Sequence, residues 1–250
     1  MQILLTNDDG IFAPGLAAIY KKLIDLGDVT VVAPADSRSG TGHSITVSRP
    51  LLCNKVDIEG QFTGFSVHGS PADCVKLAAM QLCNTPIDLL VAGINGGANV
   101  GINIYYSGTV AAAMEGAFLK IPSVAMSLAA EEQMDFDKAA EYCIGILKKL
   151  MPLDSGSVIN INIPLLSKGQ PRGIRVVPQS TECFHEYYIS QKNEHGQSEF
   201  QLAGGLHRNE DNPTDTTALA EGFITITALA PGMTNHKKTH QLQKIDWNPL

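Results

Sequence analysis

Two adjacent aspartates follow directly after the first apolar run of the chain. Asp8 and Asp9 stand in the segment Asn7-Asp8-Asp9-Gly10, immediately after residues 2–6. Two neighbouring carboxylates repel each other and are costly to hold together without a cation. Because hard cations prefer oxygen ligands, the pair suits Mg²⁺ or Mn²⁺. A solvated turn is an equally good interpretation of this segment alone, since Asp, Asn and Gly are common turn residues.

Two further polar segments follow predicted strands. Segment 37–44, SRSGTGHS, brings hydroxyls and bare amides that suit an anion, although flexible loops share this composition. His43 lies within it, and a hydrogen-bonding role is favoured there over proton donation. Segment 93–99, GINGGAN, carries Asn95 and permits close approach of the backbone to a ligand. Taken alone, a structural turn is the commoner explanation of this segment.

A fourth polar segment leads into a predicted helix over 109–119. Ser107, Gly108 and Thr109 would offer hydroxyls, free amides and the positive end of the helix dipole, which together form an anion site. Ser107 or Thr109 would also serve as a plain helix cap, and both roles are compatible.

The elements that must position these segments alternate between strand and helix. Apolar runs predict strands at 2–6, 29–34, 65–68, 88–94, 121–127, 157–163 and 223–229, and helical spacing predicts helices at 14–27, from 70 onward, at 109–119 and at 135–150. This rhythm predicts an α/β fold, Rossmann-like, with a mostly parallel sheet and helices on both faces. Ligands bind such folds outside the carboxyl ends of the strands, so the four segments should converge on one crevice.

The rhythm breaks after about residue 178. Runs 185–191 and 198–203 flank a predicted hairpin turn at 193–196. The hairpin's apolar residues need a partner surface: Phe184, Tyr187, Ile189, Phe200 and Leu202. From the residues alone, folding back on the same chain is as good an interpretation as reaching a neighbouring subunit. We predict a Rossmann-like core over 1–178, followed over 179–250 by the hairpin arm and the C-terminal segment.

Composition narrows the class of function. The 250 residues carry a net charge of −7 and no basic stripe, which argues against nucleic-acid binding. The first residues show no basic segment followed by a long apolar run, so no signal peptide is expected, and no apolar run is long enough to predict a membrane span. The five cysteines are scattered without a CxxC pair: Cys53, Cys74, Cys83, Cys143 and Cys183. Reduced thiols and a cytoplasmic location are the prediction.

Together the four segments predict metal-assisted phosphoryl transfer. Two carboxylates balance a divalent cation and leave the nearby amides to hold a phosphate dianion, whereas extra carboxylates would repel it. Three other classes share parts of the pattern. A receiver domain also needs a phospho-accepting aspartate and a lysine at later strand ends. No predicted strand end here offers that pair, and a receiver domain is only roughly 120 residues long. A haloacid-dehalogenase-type phosphatase needs D-x-D-x-T, whereas Thr6 precedes the adjacent acids. A non-enzymatic nucleotide-binding module is left open.

The segments ILLTNDDGIFAPGL, SRSGTGHSIT, GSPADCVKLA and INGGANVGINIYYSGTVAAAMEGA closely resemble the SurE family of survival phosphatases and nucleotidases. INIPL and YISQKNEHGQSEFQLAGG are also similar to the family. The resemblance implies a Rossmann-like domain with an extended β-hairpin arm and a swapped C-terminal segment, assembled as homodimers or homotetramers. It implies hydrolysis of nucleoside 5′- and 3′-monophosphates, in some members also of short polyphosphate, with one divalent metal ion (Mg²⁺ or Mn²⁺) per subunit.

The resemblance also implies roles for single residues. The family's metal site falls on Asp8, Asp9, Ser39 and Asn95. Spacing alone does not choose Ser39 over Ser37. The implied substrate- and phosphate-binding set is Ser39, Gly40, Asn95, Gly96, Ser107, Gly108 and Thr109, and the implied catalytic set is Asp8, Asp9, Asn95 and Ser107. Gly96 stands where the family often has arginine, and Asn103 where it commonly has aspartate, and both departures bear on substrate preference or rate.

Overall fold

A nine-stranded sheet crosses the molecule. The computed structural model describes residues 1–182, 185–206 and 213–247. Its strands are, in chain order, β1 (Gln2–Thr6), β2 (Asp28–Pro34), β3 (Cys53–Ile58), β4 (Phe62–Val67), β5 (Leu89–Gly96), β6 (Ser123–Leu128), β7 (Val158–Ile163), β8 (Ile174–Val176), β9 (His185–Lys192), β10 (Ser198–Leu206) and β11 (Ile224–Leu229). The main sheet has the order β3-β4-β2-β1-β5-β6-β7-β11-β8.

The centre of the sheet is parallel. Each neighbouring pair from β4 through β2, β1, β5 and β6 to β7 runs in parallel. At the edges, β3 is antiparallel to β4, and β11 is antiparallel to β7 and parallel to β8. The predicted α/β fold with a mostly parallel sheet is confirmed. The division predicted at residue 178 stays a prediction, and β11, which lies beyond it, belongs to the main sheet.

Helices cover both faces of the sheet. They are α1 (Pro14–Leu23), α2 (Pro71–Leu77), α3 (Gly108–Phe118), α4 (Phe136–Leu150), α5 (Asp215–Ala220) and α6 (His236–Leu242), with shorter helical turns at Ala78–Leu82, Gly101–Tyr105 and Leu166–Lys168. Residues of α1 and α4 pack in one apolar core, and residues of α2 and α3 pack in a second. The strands β1 and β5 lie between the two cores, which holds their carboxyl ends rigidly.

Several local boundaries differ from the sequence-based prediction. The strand predicted at 65–68 is β4, and its antiparallel partner β3 was not predicted. β3 carries exposed polar and charged residues between its apolar ones, so it lacks the continuous apolar run of a buried strand. The three-residue edge strand β8 and the short helix α5 were also missed. Helix α1 ends at Leu23, with a further turn before Gly27.

The predicted hairpin is present as a separate two-stranded sheet of β9 and β10. Both of its faces carry exposed apolar residues among polar ones, with Tyr188 opposite Leu202 on one face and Tyr187 opposite Ala203 on the other. Phe184 lies outside the described residues. Helix α6 buries none of its residues. Over the part of the chain that the structure describes, no helix has the length and apolar character needed to cross a membrane.

Candidate functional site

All four polar segments meet at the Asp8–Asp9 pair, at the carboxyl end of β1. From the loop after β2, the Arg38 amide N–H donates to the Asp8 carbonyl oxygen at 2.7 Å. From the end of β5, the Gly96 amide N–H donates to Asp9 Oδ2 at 3.0 Å. From the first turn of α3, the Thr109 hydroxyl donates to Asp8 Oδ1 at 2.5 Å. The predicted convergence on one crevice is therefore present in the fold.

The two carboxylates occupy different surroundings. Asp8 is 4% exposed, whereas Asp9 is half-buried. Burial raises the pKa of the Asp8 carboxyl above its ordinary value, the Thr109 hydrogen bond opposes that rise, and the negative charge of Asp9 adds to it. Asp8 is therefore an acid whose charge is poorly compensated by the protein groups around it, and a bound cation would supply the missing compensation.

The start of α3 abuts Asp8. Gly108 is buried, and a methyl group at its Cα would lie 2.7 Å from Asp8 Cβ, so only glycine lets the helix terminus come this close. The buried Ser107 is the N-cap, with its Oγ accepting from the Val110 amide N–H at 3.1 Å. Accepting that bond leaves the hydroxyl proton of Ser107 available to a ligand. The interpretation as a cap is thus correct and compatible with phosphate contact.

An irregularity in β5 sets the position of Asn95. The pairing with β6 shifts register between Ala92 and Asn95. Gly93 has φ 137° there, and a Cβ on it would meet the Met126 carbonyl oxygen at 2.3 Å. The Asn95 amide nitrogen donates to the Gly97 carbonyl at 2.6 Å, which leaves its amide oxygen, the atom a metal would need, outside that bond.

The loop after β2 brings Ser39 to the site's rim. Ser39 is exposed, and its hydroxyl lies 3.2 Å from that of Ser37, so the geometry leaves the choice between these two serines open. Gly40 is exposed in the same turn. The loop is tied to the α3 segment, because the Gly42 amide N–H donates to the Tyr106 carbonyl at 3.0 Å.

His43 is a hydrogen-bonding residue at one end of this loop. Its Nε2 lies 2.8 Å from Glu115 Oε2, and its ring stacks on Phe118. Glu115 is 4% exposed and also pairs with Lys76 at 2.6 Å. The favoured prediction for His43 holds, since the ring fastens the loop to α3.

A buried amide cluster fixes the segment that follows Asn95, and sequence analysis missed it. The Asn99 amide N–H donates to Asn162 Oδ1 at 2.8 Å, and its side chain donates to the Ser127 hydroxyl at 2.9 Å. Asn160 and Asn162 in turn donate to the Asn99 carbonyl at 2.8 and 3.1 Å. Two asparagines alternating along β7 were the only sequence signal of this cluster.

The donor set at the pair fits a hard divalent cation. It would comprise the carboxylates of Asp8 and Asp9, the amide oxygen of Asn95, and the hydroxyl of Ser37 or Ser39. Within the described residues there is no group of three or more His, Cys, Asp or Glu side chains that would hold a metal. The oxygen ligands of the pair and its neighbours suit Mg²⁺ or Mn²⁺.

The fold and the site define a class: an α/β protein with a paired-carboxylate, anion-accepting crevice at the carboxyl edge of a parallel sheet. A family model described as Survival protein SurE matches residues 3–186. The chain belongs to the SurE family, as its sequence resemblance implied.

Relatives match along nearly the whole chain. A protein of *Rhodopirellula baltica* named 5′-nucleotidase SurE is 41% identical over 99% of both chains. One of the same name from *Desulfitobacterium hafniense* is 41% identical over 98% of this chain and 96% of its own. The crystal structure of the SurE protein from *Aquifex aeolicus* has a TM-score of 0.83 and 37% identity, covering 97% of this chain and 98% of its own.

Proposed function

We propose that this protein hydrolyses nucleoside monophosphates to nucleoside and phosphate, with a divalent metal ion held by Asp8, Asp9, Ser39 and Asn95. The observation that carries the proposal is the contact of all the other polar segments with the Asp8–Asp9 pair. The names of the relatives, 5′-nucleotidase SurE, support this substrate class. The 5′-monophosphates are the proposed main substrates, and the 3′-monophosphates and short polyphosphate are the proposed further ones.

The chain's own groups would do four things in that reaction. The start of α3 would bind the phosphoryl oxygens through the amide of Gly108 and the positive end of the helix dipole. The Ser107 hydroxyl would donate to an oxygen on which charge develops. Thr109 would hold the Asp8 carboxylate in a fixed orientation. When bound, the metal would neutralise phosphate charge and lower the pKa of a water molecule.

A cavity beyond Asn95 offers room for the nucleoside. It measures about 720 Å³ and is bounded by Ala98, Ala129 and Leu165, with Lys168 and Arg172 at its side. Ala98 belongs to the segment after Asn95, and Ala129 follows the end of β6, so the cavity shares the sheet edge with the carboxylates. Its mostly apolar lining and its size are typical of small-molecule sites. We propose that a base and ribose lie there.

The experiment is a substrate panel assayed with Mg²⁺, with Mn²⁺ and with EDTA. The panel contains nucleoside 5′- and 3′-monophosphates, tripolyphosphate and ribose 5-phosphate, which keeps the phosphoester and lacks the base. We expect metal-dependent release of phosphate and a preference for the nucleotides over ribose 5-phosphate. Turnover that survives in EDTA contradicts the metal site. Binding of nucleotide with no turnover in either metal would leave the non-enzymatic binding module as the function.

Assembly and location belong to the same proposal. We propose a homodimer or homotetramer in which the β9–β10 hairpin reaches a neighbouring subunit, because its exposed apolar faces require cover. The C-terminal residues 231–247 support a swapped segment, since none of them is buried and Trp247 and Met233 are exposed. A cytoplasmic location is supported by the free thiols of the described cysteines, Cys53, Cys74, Cys83 and Cys143.

A further inference from the structure

One buried carboxylate joins the root of the arm to the backbone of the site. Asp215 is the first residue of α5 and is 0% exposed. Its Oδ2 accepts from the Gly101 amide N–H at 2.9 Å, and its Oδ1 accepts from the Ser180 amide N–H at 2.8 Å. The Asp215 amide N–H donates to the Pro178 carbonyl at 2.9 Å. The chain entering the arm and the chain leaving it are thus fastened to each other and to Gly101.

Gly101 begins the turn that leads to the proposed phosphate-binding residues, so a bond to its backbone bears on their position. It has φ 58° and begins the helical turn Gly101–Tyr105. That turn ends in the phosphate segment, because the Ser107 amide N–H donates to the Asn103 carbonyl at 3.1 Å. The Gln179 side-chain amide also donates to the Gly101 carbonyl, at 2.9 Å. Both polar groups of the Gly101 backbone are therefore bound by residues at the arm's root.

The segment before Gly101 and the segment after it are held by different hydrogen bonds. Asn99, two residues earlier, is held by the amide cluster on β6 and β7, which fixes the Asn95 side independently of the arm. Among the described residues, no such side-chain cluster bonds to 102–106, and the hydrogen bond from the Gly42 amide N–H to the Tyr106 carbonyl is the tie to the loop after β2. Freeing Gly101 should therefore loosen the phosphate-binding turn and leave the carboxylates and Asn95 in place.

We propose that Asp215 is a positioning residue, which sets the phosphate-binding turn through Gly101 and makes that turn sensitive to the arm. The catalytic reading of this proposal rests on the proposed phosphatase activity. Small displacements of a positioned group are costly, since about 1 Å of misplacement can lower a rate on the order of 100-fold. Within the described residues, the hydrogen bonds of Asp215 go to Gly101, Ser180 and Pro178 and not to the carboxylate pair or α3, so its proposed effect on the site passes through the backbone that it holds.

The decisive variant is Asp215→Asn. Asparagine offers one acceptor oxygen, and its amide nitrogen is a donor, so the Gly101 and Ser180 N–H groups cannot both keep their partner. We expect kcat/KM for a nucleoside monophosphate to fall about 10- to 100-fold. We expect Mn²⁺ affinity, measured by calorimetry without substrate, to stay unchanged. We also expect faster amide hydrogen exchange in residues 101–109, with 89–96 still protected.

Thr217→Ala is the matched control on the same helix. Thr217 exchanges hydrogen bonds with Thr214 in the capping box of α5 and has no bond to Gly101. It should destabilise α5 and leave kcat/KM and the exchange of 101–109 unchanged. If Thr217→Ala lowers kcat/KM as much as Asp215→Asn does, Asp215 merely stabilises α5 and the proposal is overturned. Unchanged exchange in 101–109 in Asp215→Asn overturns it as well.

A second variant and a readout that does not depend on activity complete the test. If Asp215→Asn does not fold, Gln179→Ala removes one bond to Gly101 from a partly buried side chain, and the same comparison of exchange and affinity applies. If the wild-type protein shows no phosphatase activity, the proposed function fails. The exchange measurement still decides whether Asp215 holds the turn, so the two failures are distinguishable.

Discussion

The Asp8 carboxylate is the residue on which the metal proposal bears most directly. The pKa of Asp8 is raised in the folded state, so at a pH above that value the ionised carboxylate lowers the stability of the fold. This cost shrinks as pH falls through the folded pKa and is gone below the ordinary pKa of aspartate. Asp8→Asn removes the charge while its side-chain oxygen can still accept from Thr109. We expect the metal-free variant to unfold at a higher temperature than the metal-free wild type at neutral pH.

The same variant should lose its response to metal. We expect kcat to fall roughly 100-fold or more, as when an electrostatic partner of a developing charge is lost. Mg²⁺ or Mn²⁺ should raise the unfolding temperature of the wild type and leave that of Asp8→Asn nearly unchanged. Thermal scans with and without metal measure this directly. A variant that binds Mn²⁺ like the wild type and turns over at a normal rate contradicts the assignment of Asp8.

Ser107 is expected to have two separable effects. Ser107→Ala removes the N-cap of α3, which costs about 1 kcal/mol of unfolding free energy. If the hydroxyl also donates to the phosphoryl group, the activation free energy rises by about 2–4 kcal/mol and kcat/KM falls accordingly. Asp135→Ala is the comparison, since it removes the side-chain cap of α4 on the other face of the sheet. A variant of Ser107 with lower stability and unchanged kcat/KM is a cap and nothing more.

At the scale of elements, hydrogen bonds attach the long loop after β2 to the start of α2. The Asp73 carboxylate accepts from the Thr46 amide and hydroxyl and from the Ser70 amide, at 2.7–2.9 Å. Burial opposes ionisation, yet these hydrogen bonds outweigh it and hold the pKa of Asp73 below its ordinary value. This contribution to stability is complete above the ordinary pKa, about 3.9, and is lost as pH falls through the lower folded value.

Asp73→Asn tests this attachment. We expect the variant to be less stable than the wild type at pH 7, by about 1 kcal/mol for the weakened cap. The difference should shrink as pH falls from the ordinary pKa, about 3.9, through the lower pKa of the folded carboxyl. Urea unfolding at both pH values measures it. A difference that is equal at pH 7 and at low pH would show that the charge of Asp73 contributes nothing to the attachment.

The elements differed in how far the sequence alone could predict them. The central strands β1 and β5 are rich in consecutive apolar residues, and β7 has an apolar residue at every second position, so the predicted and observed bounds nearly coincide. The edge strand β3 is stabilised by pairing with β4, and no local apolar run announces it. Local turn chemistry located the carboxylate pair and the α3 cap. Asp215 lies 114 residues from its partner Gly101, and no local pattern encodes such a contact.

At the scale of the whole molecule, the arm can be removed cleanly. His185 and Leu206 are opposite each other in the hairpin register, so a short glycine linker can join the chain across a deletion of 185–206. We expect the deletion variant to form a smaller assembly than the full chain, measured by light scattering. The reason is that the side chains of Tyr188 and Leu202 are 66% and 53% exposed, so a neighbouring subunit is the surface proposed to cover them.

Variants of single faces locate the contact. Tyr188 and Leu202 lie on one face of the hairpin, whereas Tyr187 and Ile189 lie on the opposite strand face. Replacing each pair by serine, one pair at a time, tells which face meets a neighbour. An unchanged mass in the deletion variant would mean that the arm does not hold the assembly together.

If the hairpin is covered by a neighbouring subunit, as proposed, the stability of the protein should depend on its concentration. A subunit whose arm is covered only by a neighbour is in equilibrium between an associated and a dissociated form, and mass action makes that equilibrium depend on the protein concentration. The unfolding temperature of the full chain should therefore rise with concentration, whereas that of the chain without 185–206 should not. A cell that makes little of this protein would then hold it in a form whose arm, and the Asp215 contact at the arm's root, is less firmly restrained.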